Sequence, residues 1–510
     1  MLYDKNHTLF YYPLSFQGGF FMLNVNNNAA MLKREILVRI TKMQLDNTLL
    51  KNVRYIPREL APAGSKPMRC CIYHDREILK MRTAARLGFS VEELDEDTEL
   101  DDLAAKAYER EKPTWPMLTV LHEACNACVK THFMVTNACQ GCLARPCEVN
   151  CPKKAIAVGE DRRSHIDSTK CINCGLCQQN CPYHAIIKIP VPCEEACPVG
   201  AISKGEDGRE HIDYDKCIFC GSCMRECPFS AMMDKSQLFD VVKHIMNGKH
   251  VVALYAPAIA GQFKCKTTQL KTALKECGFS SSMEVAVGAD ICAEKEAKEF
   301  EERMERGDKM MTTSCCSAYV RAVNIHVPEL SPCISDTRSP MHYAAEIAKS
   351  EDRECVTVFI GPCLAKRREG FDDELVDYVL SAEELAALIQ AKEINPATLA
   401  ESEITTPPTS SARNFAVTGG VAESVKIRLT DQSILRPTVI NGLNKAGMKQ
   451  LAMYGKINAG TVPTPPNCPN LIEVMACEGG CIAGPSVILN PKVAAVQLKK
   501  YVTEGTPDTK

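Results

Sequence analysis

CINCGLCQQNCP, residues 171–182, and CIFCGSCMRECP, residues 217–228, share one spacing of thiols. Each reads C-x2-C-x2-C-x3-C-P, through Cys171, Cys174, Cys177 and Cys181 in the first run and Cys217, Cys220, Cys223 and Cys227 in the second. This spacing lets a short loop wrap a [4Fe–4S] cubane with three thiolates, while the fourth cysteine ligates the other cluster of a pair. A zinc site usually shows two separated C-x2-C pairs instead. The two runs predict α+β modules of the bacterial-ferredoxin kind.

Working outward, ACQGCLARPCEVNCP supplies Cys139, Cys142, Cys147 and Cys151, with a middle gap of four residues. By the crossover rule, Cys139, Cys142, Cys147 and Cys181 hold one cluster, and Cys171, Cys174, Cys177 and Cys151 hold another. The second run has half a partner nearby, Cys193 and Cys197, and its missing C-x2-C lies far upstream at Cys125 and Cys128. Nesting one module inside a loop of the other gives a third set, Cys217, Cys220, Cys223 and Cys197. The fourth set is then Cys125, Cys128, Cys193 and Cys227. The sixteen thiols from Cys125 to Cys227 fill four cubanes. The competing readings are a vestigial half-site, or ordinary buried thiols at Cys125 and Cys128. Those leave fewer accessory clusters, with two as the minimum.

The 510 residues suffice for about three domains at roughly 150 residues each. A composition 45% hydrophobic and 24% charged is ordinary for a globular chain, and a formal net charge of −3 argues against a nucleic-acid partner. No apolar run approaches the roughly 20 residues of a membrane span. The first residues do not read as a signal peptide. Twenty-nine cysteines in such a chain argue for metal ligands in a reducing, cytoplasmic setting. Residues 1–30, with NVNNN near their end, read as a flexible extension. Residues 31–120 carry no decodable motif, although Arg69-Cys70-Cys71 and the helix expected up to Leu87 suggest a cap on the ferredoxin region. Residues 121–236 form the nested iron–sulfur region. Cys70, Cys71, Cys265, Cys277, Cys292, Cys333, Cys355 and Cys468 read as structural. There is no GxGxxG and no P-loop, so no nucleotide site is expected.

Over residues 237–510 the pattern changes to strands alternating with helices. Strands are expected at His250–Tyr255, Val356–Ile360, Asn414–Thr418 and Leu471–Met475, with helical patterns such as Ala293–Arg306 between them. That predicts an α/β catalytic domain with two parallel-sheet lobes, preceded by the ferredoxin-like modules. Ligands in such sheets gather at the carboxyl ends of strands, where cysteines stand here.

Three motifs in this domain, TSCCSAY at 313–319, GPCLAKRRE at 361–369 and EVMACEGGCIAGP at 473–485, together resemble the signatures of the [FeFe]-hydrogenases. The resemblance covers about 270 residues, from Phe239 onward. It implies an H-cluster, in which a [4Fe–4S] cubane is joined to a two-iron site carrying CO, cyanide and azadithiolate. The implied cubane ligands are Cys316, Cys363, Cys477 and Cys481, with Cys481 also bridging to the two-iron site. Cys315 matches the terminal proton carrier, and Lys366 the lysine that contacts a cyanide. Met475 and the Ala256-Pro257-Ala258 turn fall at pocket positions. Glu296, Glu299 and Arg303 share one helix face at i, i+3 and i+7, a spacing that alone usually marks a solvated face. The resemblance implies instead a proton relay running from a surface Glu296 through Ser335 and Glu299 to Cys315.

Reversible interconversion of H2 with two protons and two electrons is therefore expected. Electrons would pass to a ferredoxin or another redox protein, and dedicated maturation proteins would build the two-iron site. The alternatives are a hydrogen or redox sensor and a hydrogenase-like iron–sulfur assembly scaffold. Common members read TSCCPGW, MPC and MACPGGC where this chain has Ser317, Ala318 and Tyr319, then Gly361, then Glu478. These departures resemble the divergent branch called group B.

Overall fold

The computed structural model describes residues 27–508 apart from 96, 405 and 406. The expected flexible extension lies outside the described residues up to 26. Beyond them the structure differs from that expectation. Asn27 caps a helix, Asn28–Leu45, by accepting from Ala30 N at 2.9 Å. An asparagine run is a good helix start as well as a good coil. This helix packs on the helix Ala382–Ala391 of the C-terminal domain. The helix Ile72–Arg86 lies on the ferredoxin region, where Arg82 donates to Ser230 O and Phe229 O, each at 2.9 Å.

The iron–sulfur region is two ferredoxin-like modules, one inside the other. Strand β1 (Leu118–Val120) pairs antiparallel with β8 (Met232–Asp234). Between them in sequence, β2 (His132–Val135) pairs with β5 (Ile186–Ile189) and encloses the hairpin of β3 (Ile156–Val158) and β4 (Ser164–Ile166). A second hairpin, β6 (Ile202–Lys204) with β7 (Glu210–Ile212), completes the outer module. The hairpins repeat with an offset of 46 residues, Ile156 to Ile202 and Cys171 to Cys217. Gly175 and Gly221 take φ values of 80° and 77° just before the short helices that carry Cys177 and Cys223. That left-handed turn is cheap only for glycine, and it brings the third thiol back towards the first two.

The C-terminal domain holds two all-parallel sheets. In one, β9 (Val251–Tyr255), β10 (Ser281–Glu284), β12 (Val356–Ile360) and β13 (Tyr378–Leu380) lie in the order β10-β9-β12-β13. In the other, β11 (Met311–Thr312), β14 (Pro437–Asn441) and β15 (Leu471–Met475) lie in the order β11-β15-β14. The expected strand at Asn414–Thr418 is absent: the chain there forms helical turns, Ser410–Arg413 and Asn414–Ala416. Thr409 caps the first turn by accepting from Ala412 N, and Gly419 at φ 89° swings the chain into the helix Gly420–Arg428. Capping and the glycine turn outweigh the β-propensity of Phe415 and Val417.

Candidate functional site

Three loops leaving the carboxyl ends of parallel strands build the site. Strand β11 leads to Cys315 and Cys316, β12 to Cys363, and β15 to Cys477 with Cys481 one turn on. Burial, and then the neighbouring Cys363, Cys481, Cys316 and Cys220, push the Cys477 thiol well above its ordinary pKa. The four thiols of the three motifs are therefore mutual neighbours, and a ferredoxin-region cysteine stands next to them. Among the described residues no group of three or more ligating side chains closes tightly enough for a single metal ion. A cubane asks for something else, namely thiols arranged around a wider void.

Such voids exist in the ferredoxin region. One cavity is lined by Cys139, Cys142, Cys147 and Cys181. Another is lined by Cys151, Cys171, Cys174 and Cys177. A third is lined by Cys197, Cys217, Cys220 and Cys223. Each collects three thiols of one run and one from another, as the crossover spacing requires. Cys125, Cys128, Cys193 and Cys227 also meet. Cys125 and Cys227 act electrostatically on Cys128, and Cys227 on Cys193. The chemistry of these donor sets fits iron–sulfur clusters.

Around Cys315 the structure corrects one expectation: Glu296 is not at the surface. It is 0% exposed, and its Oε1 accepts from Ser314 N at 3.1 Å, beside Cys315. The helix Ala286–Arg306 is pinned between the helix Pro340–Glu351 and the helix Gly420–Arg428, which turns Glu296 inward. Glu299 is the outer carboxylate. It accepts from Ser335 Oγ at 2.6 Å, from Thr337 Oγ1 at 3.1 Å and from the Asp336 amide at 2.9 Å, and it pairs with Arg303 at 2.7 Å. Arg303 reaches Asp336 at 3.3 Å, and the Asp336 side chain is 94% exposed. The order from the pocket outward is Cys315, Glu296, Ser335 with Glu299, then Arg303 with Asp336.

Electrostatics matches that order. Burial, followed by Glu296 and Cys316, raises the Cys315 thiol well above its ordinary pKa, so it stays protonated. Burial pushes Glu296 up to about 7. Ser314 Oγ lies 2.5 Å from Thr337 O and 3.3 Å from Glu296 Oε1. One hydroxyl hydrogen cannot serve both acceptors. With Ser314 donating to Thr337, a protonated Glu296 can donate to Ser314 in turn.

Lys366 donates to Glu369 at 2.6 Å and to Ser339 Oγ at 2.8 Å. Burial works against this ammonium, but the Glu369 carboxylate outweighs it and holds the pKa above the ordinary value. Met475, 2% exposed, packs in one cluster with Cys315 and Cys292. The Ala256-Pro257-Ala258 turn is buried at the end of β9. The departures from the common motifs have local partners. Tyr319 is buried and donates to Thr312 Oγ1 at 2.6 Å. A Cβ on Gly361 would lie 2.5 Å from the Phe359 ring, so Phe359 fills the space a larger residue would take. Ser314, Thr337, Ser339, Asp336 and Glu369 have no role in the sequence reading, and Ser317 figures there only as a departure from the common motif. Of these, Glu369 carried a signal, since it stands three residues after Lys366 inside a quoted motif.

The fold and the thiol sets define an iron–sulfur protein. Residues 249–485 match the family model "Iron only hydrogenase large subunit, C-terminal domain", and residues 164–187 and 210–233 match the 4Fe-4S binding domain. The periplasmic [Fe] hydrogenase large subunit of Nitratidesulfovibrio vulgaris is 30% identical over 376 residues, 62% of this chain and 85% of its own. Iron hydrogenase 1 of Clostridium pasteurianum is 28% identical over 324 residues, 53% of this chain, and the chain spans only 56% of its length. A solved [FeFe]-hydrogenase from Chlamydomonas reinhardtii shares 22% identity over 49% of this chain and 84% of its own, with a TM-score of 0.39. The chain belongs to the iron-only, or [FeFe], hydrogenase family. Among the described residues no helix is long and apolar enough to cross a membrane.

Proposed function

We propose that this chain interconverts H2 with two protons and two electrons in the cytoplasm. Cys316, Cys363, Cys477 and Cys481 would hold the cubane of an H-cluster, with Cys481 also joined to the two-iron group. When bound, that group supplies the making and breaking of the H–H bond. The chain's own residues hold it, keep water out and move protons. Cys315 is a thiol outside the ligand set, so it keeps its proton and can pass it on. Glu296 takes that proton or returns it, having a pKa near the working pH, where a general acid–base group is most effective. Ser335, Glu299, Arg303 and Asp336 carry the path to solvent. Lys366 offers an ammonium to an anionic ligand of the cofactor. Electrons would travel through four accessory [4Fe–4S] clusters, held by the four thiol sets above. A ferredoxin-like protein or partner subunit would exchange them, and separate maturation proteins would build the two-iron group.

The observation that carries this reading is the file of polar groups behind Cys315, an inner carboxyl and an outer carboxyl group linked through Arg303 to an exposed aspartate. An assembly scaffold or a sensor has no need of that path at turnover rates. The test is the infrared spectrum and hydrogen turnover of protein matured with the family's assembly proteins. CO and cyanide bands together with turnover are expected. A matured protein that lacks those bands overturns the reading, and bands without turnover turn it towards a sensor.

A further inference from the structure

Three side chains beside the cysteine loops, Lys366, Glu369 and Ser339, close a polar ring, and a fourth, Ser317, joins it at Glu369. Ser317 Oγ and Lys366 Nζ both donate to Glu369 Oε2, the lysine at 2.6 Å. Ser339 Oγ donates to Glu369 Oε1 and accepts from Lys366 Nζ at 2.8 Å. The pair at its centre is largely buried, with side-chain exposures of 11% for Lys366 and 22% for Glu369. With Ser317, the ring draws on three elements: the start of the helix Ser317–His326, the residue capping the helix Pro340–Glu351, and the helix Ala365–Asp372. A lysine and a glutamate three residues apart on one helix swing together when nothing else holds them. Here two hydroxyls from outside that helix fix the carboxylate, and the carboxylate fixes the ammonium.

We propose that Ser317 is a positioning residue for Lys366, acting through Glu369. An ammonium has three hydrogens. Glu369 and Ser339 take two, which leaves the third for an anionic ligand of the cofactor. Ser317 sets how strongly Glu369 pulls, because its hydroxyl shares the oxygen that Lys366 binds. The common motif has proline at this position, and proline offers no donor. Removing the Ser317 donor leaves Oε2 to the ammonium alone, which then moves towards Glu369 and away from its third partner. This inference rests on the hydrogenase reading proposed above.

The test compares full-length, matured wild type with Ser317→Ala, Ser317→Pro and Ser317→Thr, using infrared spectroscopy and iron content. Ser317→Ala and Ser317→Pro should keep full iron and shift a cyanide band, because the hydrogen bond to that ligand weakens. Ser317→Thr keeps a hydroxyl and should hold the wild-type position. Glu369→Gln removes the charge that pulls on Lys366 and should shift the same band in the opposite direction, with thermal unfolding recorded to confirm folding. Wild-type cyanide bands that stay in place in Ser317→Ala overturn the proposal, as does a shift that Ser317→Thr shares. Wild type without CO or cyanide bands overturns the functional reading and this one with it, so the two failures are distinguishable.

Discussion

At the scale of single residues, the proposed function divides the work between the neighbouring Cys315 and Cys316. Cys316 stands with the thiols of the other two motifs, whereas Cys315 packs with Met475 and Cys292 and lies beside the Glu296–Ser314 contact. Cys315→Ala should keep iron content and the infrared bands but lose about 10²–10⁴-fold in turnover, the usual worth of positioned proton transfer. Cys315→Asp should recover part of that loss. A fully loaded Cys315→Ala protein with near wild-type turnover would mean that protons enter elsewhere. The inner carboxyl makes a second prediction. Glu296 is buried with a pKa of about 7, against an ordinary 4.5, so it is neutral below pH 7 and charged above it. Folding takes up a proton at this group between those values. Its favourable contribution to stability is therefore complete below about pH 4.5 and lost as pH rises through about 7. A carboxylic C=O infrared band that titrates near pH 7 and vanishes in Glu296→Gln is expected. A band that titrates near 4.5 would contradict this assignment.

At the scale of elements, the proposed relay depends on how closely two helices approach. Gly288, on the helix Ala286–Arg306, has no room for a Cβ: it would collide with Pro340 O and lie 2.9 Å from Ala344 N. The obstruction is backbone, so a helix must move. One of the two helices carries Glu296 and Glu299, and the other follows Ser335 and Asp336. Gly288→Ala should therefore cost about 1–3 kcal/mol, as overpacking typically does, and lower turnover by stretching the contact between Ser335 and Glu299. Thermal unfolding and hydrogen evolution measure the two effects, and unchanged values for both would show that the helices separate freely. The same dependence explains what the sequence could and could not convey. Thiol sets are legible because a loop must present three ligands locally, and strands that end in cysteines follow from the pattern. Which of Glu296 and Glu299 faces inward is not legible. Both lie on one helix face, and packing against Pro340–Glu351 and Gly420–Arg428 decides between them. The short strands β10, β11, β13 and β14 are edge or brief elements without a strong apolar run. Ser317 and Ser339 reach the Lys366–Glu369 pair from far along the sequence, which no spacing rule can see.

At the scale of the whole molecule, the iron–sulfur region and the catalytic domain are tied by buried charge. Asp234, the last residue of β8, meets Arg86 at 3.0 Å and Arg367 at 3.0 Å, and Arg367 also pairs with Glu384. All four side chains are at most 2% exposed. Breaking such a pair strands a charge away from water, so the two halves resist separate movement. Fixed geometry suits the proposed electron path, whose stations the thiol sets would be. Cys220, from the set that includes Cys197, neighbours Cys477 at the catalytic end. The module enclosed by β2 and β5 lies further out, joined to the outer module where Asn173 donates to Thr131 O at 2.9 Å. Cys125, Cys128, Cys193 and Cys227 are the set most widely separated in sequence, so they decide whether the path has its full number of stations. Four accessory cubanes, the catalytic cubane and the two-iron group together imply about twenty-two irons per chain. Iron and protein analysis of matured wild type should approach that number. Cys125→Ser combined with Cys193→Ser should lower it towards about eighteen, while the infrared bands of the catalytic site stay unchanged. A wild-type count near fourteen, with no iron lost in the double variant, would reduce the path to two accessory clusters and leave eight of the sixteen thiols, those four among them, without iron.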